Sequence, residues 1–227
     1  MIMLDCARTG LMAAAPKRTT VSGDETKQRI VAATLSTLKQ EGIVGTSARV
    51  IAKAGDFNQA LIFYHFGSVD DAILAAVAHM SEARMERHRV RLEEATTFPE
   101  LISIARALHH DDSSDGSMTV LTQALAGASR NAELGPRLYE VLDPWSSLVA
   151  STVERVLGDT SVAAAVPHDA VAKSINALFL GIELLDDLDP SKANVEALFD
   201  MLEGMANVVQ TLINTPLVAN AFGQSSA

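Results

Sequence analysis

A single cysteine, Cys6, stands in 227 residues, so no disulfide within the chain can staple the fold, and a reducing compartment suits it. No run approaches the roughly 18 consecutive apolar residues of a membrane span. The opening MIMLDCARTGLMAAAPKRTTVSGDE is interrupted by Asp5 and Arg8 and lacks the long apolar core of a secretory signal. A disordered leader over residues 1–23 and a cytoplasmic location are the expectations. Glycine-rich phosphate loops, the GxSxG elbow and the HExxH zinc helix are all missing, which removes the commonest sequence grounds for an enzyme or a cofactor. Aromatics are only 4% of the chain against 48% hydrophobic residues, no segment reads as a convincing strand and no repeat recurs. Many alanines with few rings suit close-packed helices, and the expected class is all-α.

Basic residues are scarce too. A net charge of −10 argues against general affinity for nucleic acid. The balance is uneven, however: residues 1–70 hold 8 Lys and Arg against 6 Asp and Glu, for +2, and residues 71–227 hold 10 against 22, for −12. A mildly basic end on an acidic body confines phosphate contact to the N-terminal surface. Lys17 and Arg18, just before the first expected helix, offer an electrostatic arm or a solvated tail.

What is present concentrates in residues 47–66, SARVIAKAGDFNQALIFYHF, which hold four of the ten aromatics. Ser47 is a good N-cap, and Val50, Ile51 and Ala54 follow at helical spacing. Gly55-Asp56 ends that helix, since glycine takes positive φ freely and aspartate is among the few other residues that tolerate it. Asn58 caps a second helix, in which Gln59, Tyr64 and His65 bring polar groups able to reach phosphates or base edges. Two short helices around a glycine also occur in helical proteins that never meet DNA, so context decides. An amphipathic helix over residues 26–41, with Ile30, Val31, Leu35 and Leu38 on one face and Gly42 as its stop, precedes the pair. Ser68 then caps a long helix over about 69–95, with Asp70 and Asp71 in its first turn. Three short helices can close a small core, for which Phe57, Phe63 and Phe66 are expected to supply the bulk.

The stretches TKQRIVAATLSTLKQEG and TSARVIAKAGDFNQALIFYHFGS, followed by a long fourth helix, resemble the N-terminal domain of the TetR family of bacterial transcriptional regulators over about residues 24–80. The resemblance implies a three-helix helix-turn-helix DNA-binding domain over 24–70, joined by the fourth helix to a C-terminal helical ligand-binding and dimerisation domain over 71–227. It implies a homodimer on a palindromic double-stranded operator, usually a repressor, released when a small molecule enters the C-terminal domain. Phosphate contacts fall to Thr46, Arg49 and Tyr64, with Ser47 and His65 beside them, and groove-facing roles to Asn58, Gln59, Ala60 and Leu61. Val69 and Asp56 depart from the family pattern, where many members carry a phosphate-binding lysine and a turn glycine. A small-molecule-binding protein on the same fold, without DNA binding, is the alternative.

Further helices are expected at about 98–110, 117–129, 134–157, 168–187 and 191–214. The charged run EARMERHRVRLEEA of the fourth helix reads as a solvated face, and HHDDSSDG as an acidic surface loop. His109, His110, Asp111, Asp112 and Asp115 carry donors that suit a divalent cation, but adjacent side chains diverge and no metal is expected. Pro144 should kink its helix and open space beside Trp145. Tyr139 and Trp145 are the first candidates for pocket lining, against ordinary core packing. Asn176 and His109 are possible polar anchors, and Phe179 and Met118 complete the set for an effector expected to be largely apolar. The helix over 168–187 is apolar on two sides. Full burial is one explanation, and a two-fold interface with a second copy is the other, at Ile175, Phe179, Ile182, Leu198, Leu202, Met205 and Val209, with Gly181 and Gly204 allowing close approach. No membrane partner is expected.

Overall fold

The apolar residues recur at three and four positions, and helices result. The structure, a computed structural model, describes residues 23–129, 131–158, 163 and 167–215. Among them lie α1 (Gly23–Gly45), α2 (Ala48–Gly55), α3 (Ala60–Phe66), α4 (Val69–Glu94) and α5 (Phe98–Asp115). Then follow α6 (Ser117–Ala128), α7 (Leu134–Leu157), α8 (His168–Leu188), α9 (Pro190–Ala193) and α10 (Val195–Ile213), with no strand among the described residues. Apart from Gly23, the expected leader lies outside the described residues, as do Lys17 and Arg18.

Ile30, Ala33, Ile51, Ile62 and Ala72 close the small N-terminal core, with Phe57, Leu61 and Phe66 packed half-buried around it. Phe63 does not join them and is 51% exposed. It follows the fully buried Ile62 by one position, which turns it about 100° around the helix and away from the core. The helix break expected at Gly42 is there, as a kink with φ 68° inside α1. In the turn between α2 and α3 the left-handed residue is Asp56, at φ 52°, and Gly55 serves a different need. A Cβ on Gly55 would lie 2.2 Å from the Phe57 ring and 2.8 Å from Ala33 Cβ. Arg29 of α1 then secures the turn: its Nε donates to the Gly55 carbonyl at 2.9 Å, its second amino group donates to the Asp56 carbonyl, and its guanidinium sits 5.7 Å from the Phe57 ring centre.

α4 buries one side into the body, and there two expectations fail. The HHDDSSDG stretch is not a loop, because α5 continues to Asp115 before Gly116 turns left-handed at φ 70°. Nor is the charged run of α4 fully solvated. Leu101, Ile104, Leu108 and Asp112 fall on one helical face, so the fourth of them enters the protein with the other three. Arg84 of α4 meets it there, donating from Nε to Asp112 Oδ1 at 2.8 Å and from a second nitrogen to Oδ2, with both side chains buried. Beside this pair, His109 Nδ1 lies 2.9 Å from Glu183 Oε1. Glu183 raises the His109 pKa by accepting that hydrogen bond, and burial raises the carboxyl of Glu183 itself. His88 is buried and burial pushes its pKa down; its Nε2 is 3.2 Å from the Asp111 carboxylate but off the hydrogen-bonding direction, and neither ring nitrogen has a hydrogen-bond partner among the described residues.

α7 passes through Pro144 as one continuous helix, whereas the last expected helix divides at Asn194, left-handed at φ 47°. The three-helix unit is fastened to the body by α1 as well as α4. Ile43 N donates to Gln123 Oε1 of α6 at 3.0 Å, and Ile43 packs against Gly127, where a Cβ would come within 2.8 Å of it.

Two outcomes follow from these contacts. Gly55→Ala should destabilise the chain by about 1–3 kcal/mol in urea unfolding, because the Phe57 ring must move, while Asp56→Gly should be neutral or stabilising by up to about 1 kcal/mol. Equal stability of Gly55→Ala and wild type would refute the close approach. His109 has a higher pKa folded than its ordinary 6.5, so its stabilising contribution is complete below about pH 6.5 and fades as pH rises through the folded value. Burial raises Glu183 as well, and the His109 hydrogen bond and charge oppose that shift. The stability gap between wild type and His109→Gln should therefore shrink as pH rises above about 6.5 through the folded His109 value, and a gap that widened there would contradict the pairing.

Candidate nucleic-acid interface and ligand cavity

Once the apolar residues of the N-terminal unit are buried, its outward groups can be placed. α3 is seven residues long, and an α-helix, about 10–12 Å across with its side chains, fits a major groove about 12 Å wide. Gln59 and Ala60 stand exposed at its start. Tyr64 is 82% exposed, with His65 edge-on at 4.9 Å between ring centres. Asn58 Oδ1 accepts from Ala60 N at 2.9 Å and caps α3, while Leu61 is half-buried against the small core and so drawn back from the groove-facing set. On α2, Ser47 is the N-cap, with its Oγ accepting from Val50 N. The exposed Arg49 and Lys53 share a shallow surface groove with Asn58 and Gln59, which sets two cations beside the start of α3. Thr46 donates its hydroxyl to the Gly42 carbonyl at 2.7 Å, so that donor closes the α1 kink instead of standing free for a phosphate. Val69 is half-buried between the small core and the next one, which explains an apolar residue there. Lys53 and the clamp residue Arg29 were missed in the sequence because neither interrupts a pattern.

The second site is a partly open cavity of about 110 Å³ between α4, α5, α6, α7 and α8. Its walls are nearly all hydrocarbon: Leu101 and Leu108 from α5, Met118 and Leu121 from α6, Leu142 and Val149 from α7, and Ile175, Phe179 and Leu180 from α8. Polar groups reach it only from Arg84, Trp145 and Asn176. Four of the six expected ligand residues, Trp145, Asn176, Phe179 and Met118, are brought together here. Tyr139 is not, and is 58% exposed. Six positions before Trp145 on one helix, it points about 120° away from it. His109 is buried one layer off, paired with Glu183 and 5.7 Å from the Phe199 ring centre. Arg84 was missed, although Ile73, Val77, Met80, Arg84 and His88 follow one another at three and four spacing and so continue the buried stripe.

The last helices also divide differently from expectation. Ile175 and Phe179 line the cavity, Ile182 is buried, and Leu198 and Leu202 pack half-buried on the cluster of Ile182, Val195 and Phe199. These five turn inward because the protein's own core takes that face. Met205 and Val209 stay exposed, joined on α10 by Met201, Val208 and Leu212 and matched on α8 by Leu178, Leu184, Leu185 and Leu188. Gly181 and Gly204 fall within these stripes with open space where a Cβ would be. So much exposed hydrocarbon on two helices marks an interaction surface.

Among the described residues, no group of three or more His, Cys, Asp or Glu is placed to hold a metal, and no single helix is long and apolar enough to cross a membrane. No family model matches the chain. The HTH-type transcriptional dual regulator CecR of Shigella flexneri is 34% identical over 76 residues, which span 34% of this chain and 34% of that protein, so the match covers about a third of the relative's length. Among solved structures, the multidrug binding protein EbrR complexed with imidazole matches with a TM-score of 0.60 at 26% identity, over 80% of this chain and 95% of its own. A member of the TetR family from Streptomyces coelicolor A3 gives a TM-score of 0.59 at 23% identity, over 80% of this chain and 98% of its own. By its helix order, its helix-turn-helix geometry and these likenesses together, the chain has the fold of the TetR-family member and of EbrR, and its N-terminal part is similar to that of an HTH-type transcriptional regulator.

Proposed function

We propose that the protein is a cytoplasmic, ligand-responsive transcriptional regulator that binds double-stranded DNA as a homodimer and represses until a small molecule releases it. The observation that carries this reading is the outer face of the helix-turn-helix, where Gln59, Ala60 and Tyr64 of the α3 region stand exposed next to the Arg49 and Lys53 cations. In this reading Arg49, Lys53 and Tyr64 hold phosphates and set register, and Gln59 and Ala60 read base edges. A two-fold pairing through the exposed stripes of α8 and α10 sets two copies of α3 on successive major grooves, about 34 Å apart. The apolar cavity takes the effector, in keeping with the multidrug binding protein EbrR, whose fold is similar. The reading assigns no reaction to either site.

Selection from a pool of random duplexes, followed by band shifts at low salt, should recover a palindromic sequence. Failure to enrich any sequence would contradict DNA recognition and leave the ligand-binding alternative. Tyr64→Ala should weaken the selected duplex about tenfold, or ~1.4 kcal/mol, with sedimentation unchanged, whereas loss of the dimer would mean that the ring supports the fold. Met205→Lys sets like charges across the proposed interface and should shift sedimentation toward the monomer, so an unchanged dimer would contradict this pairing.

A further inference from the structure

We infer that the cavity admits only uncharged, hydrocarbon-rich molecules of about one ring, and that Asp112 is the residue that closes it to anions. The inference rests on the reading of this cavity as the effector site. At about 110 Å³ the space compares with the roughly 150 Å³ of a dry apolar cavity that takes benzene. That space suits about one ring, and the state of the polar wall groups limits its charge.

Each of those groups already has a partner. Arg84 gives Nε and a second nitrogen to Asp112, and its guanidinium lies 5.3 Å from the Trp145 ring centre. Trp145 Nε1 donates to Ser81 Oγ at 3.0 Å, and Asn176 Nδ2 donates to Ser146 Oγ at 3.1 Å. A ligand carboxylate would compete with Asp112 for the single guanidinium charge, putting two carboxylates on one counter-charge in a buried place. A ligand cation would meet Arg84 and find no carboxylate on the wall, since Asp112 lies behind Arg84 and Glu183 is held by His109. The Asn176 carbonyl is what remains for a neutral ligand, as acceptor for one hydroxyl.

Trp145 is the only tryptophan and lines the cavity, so its fluorescence reports occupancy directly. The full chain is titrated at neutral pH with toluene, benzyl alcohol, benzoate and benzylammonium, which share one ring and differ in charge. Toluene and benzyl alcohol should bind at least tenfold more tightly than either ion. Benzoate or benzylammonium within threefold of benzyl alcohol would overturn the inference while leaving the cavity a ligand site. No binding by any of the four would overturn the effector reading as well.

Asp112→Asn keeps the shape and frees the Arg84 guanidinium. It should gain at least tenfold in benzoate affinity and nothing for benzylammonium, and no gain would overturn the role given to Asp112. Arg84→Met with Asp112→Leu removes both charges together, so it should keep the neutral probes and gain nothing for benzoate. A benzoate gain there would equally contradict the assignment. The wild-type series and this double variant decide the matter even where Asp112→Asn fails to fold.

Discussion

One helix has to satisfy three cores at once, and the arrangement of this protein depends on that. α4 places Ala72 in the small N-terminal core, Ile73, Leu74, Val77 and Met80 in the next, and Leu92 in the third. Between Met80 and Leu92 its buried side is polar: Arg84 needs Asp112, and Ser81 accepts from Trp145. Hydrocarbon packing therefore holds α4 at its ends, and directional bonds to α5 and α7 hold its middle. The cavity opens beside that middle, with Arg84 and Leu92 both on its wall. In the proposed function, a molecule seated there would press on α4 where a small shift costs hydrogen-bond geometry, and α4 leads from there to Val69 and the helix-turn-helix unit.

A second line runs through α6. Met118 and Leu121 line the cavity, while Gln123 and Gly127 of the same helix receive Ile43 next to the Gly42 kink. The helix-turn-helix unit is thus attached to the cavity at two places, α4 behind α3 and α6 behind α1. With its own core closed by Ile30, Ile51 and Ile62, and its turn clamped by Arg29, the unit is packed as one body. Its display of Gln59, Ala60, Arg49 and Tyr64 is then a matter of where that body sits.

Much of this was legible in the chain and some was not, for physical reasons. Caps carry local signals, so Ser47 and Ser68 and the bounds of α4 and α7 agreed with expectation. Burial of charge carries none locally. HHDDSSDG looked like a loop because Asp112 is stabilised by Arg84, 28 positions away, and only their meeting makes helix preferable there. Phe63 and Phe66 looked alike in sequence, yet helical phase sends one outward and the other into the small core. The same holds for Ile175 and Phe179 against Leu184 and Leu188: two-sided apolarity was visible, but which side meets the protein's own core depended on where α5 and α10 pack.

The central claim is that the cavity and the DNA-reading surface share one free energy. The direct measurement is the affinity of the protein for its selected duplex with and without saturating benzyl alcohol. Coupling of about 1–3 kcal/mol predicts that the ligand weakens the duplex roughly 5- to 150-fold, and that the duplex weakens the ligand by the same factor. A duplex affinity unchanged by a ligand that Trp145 reports as bound would contradict it.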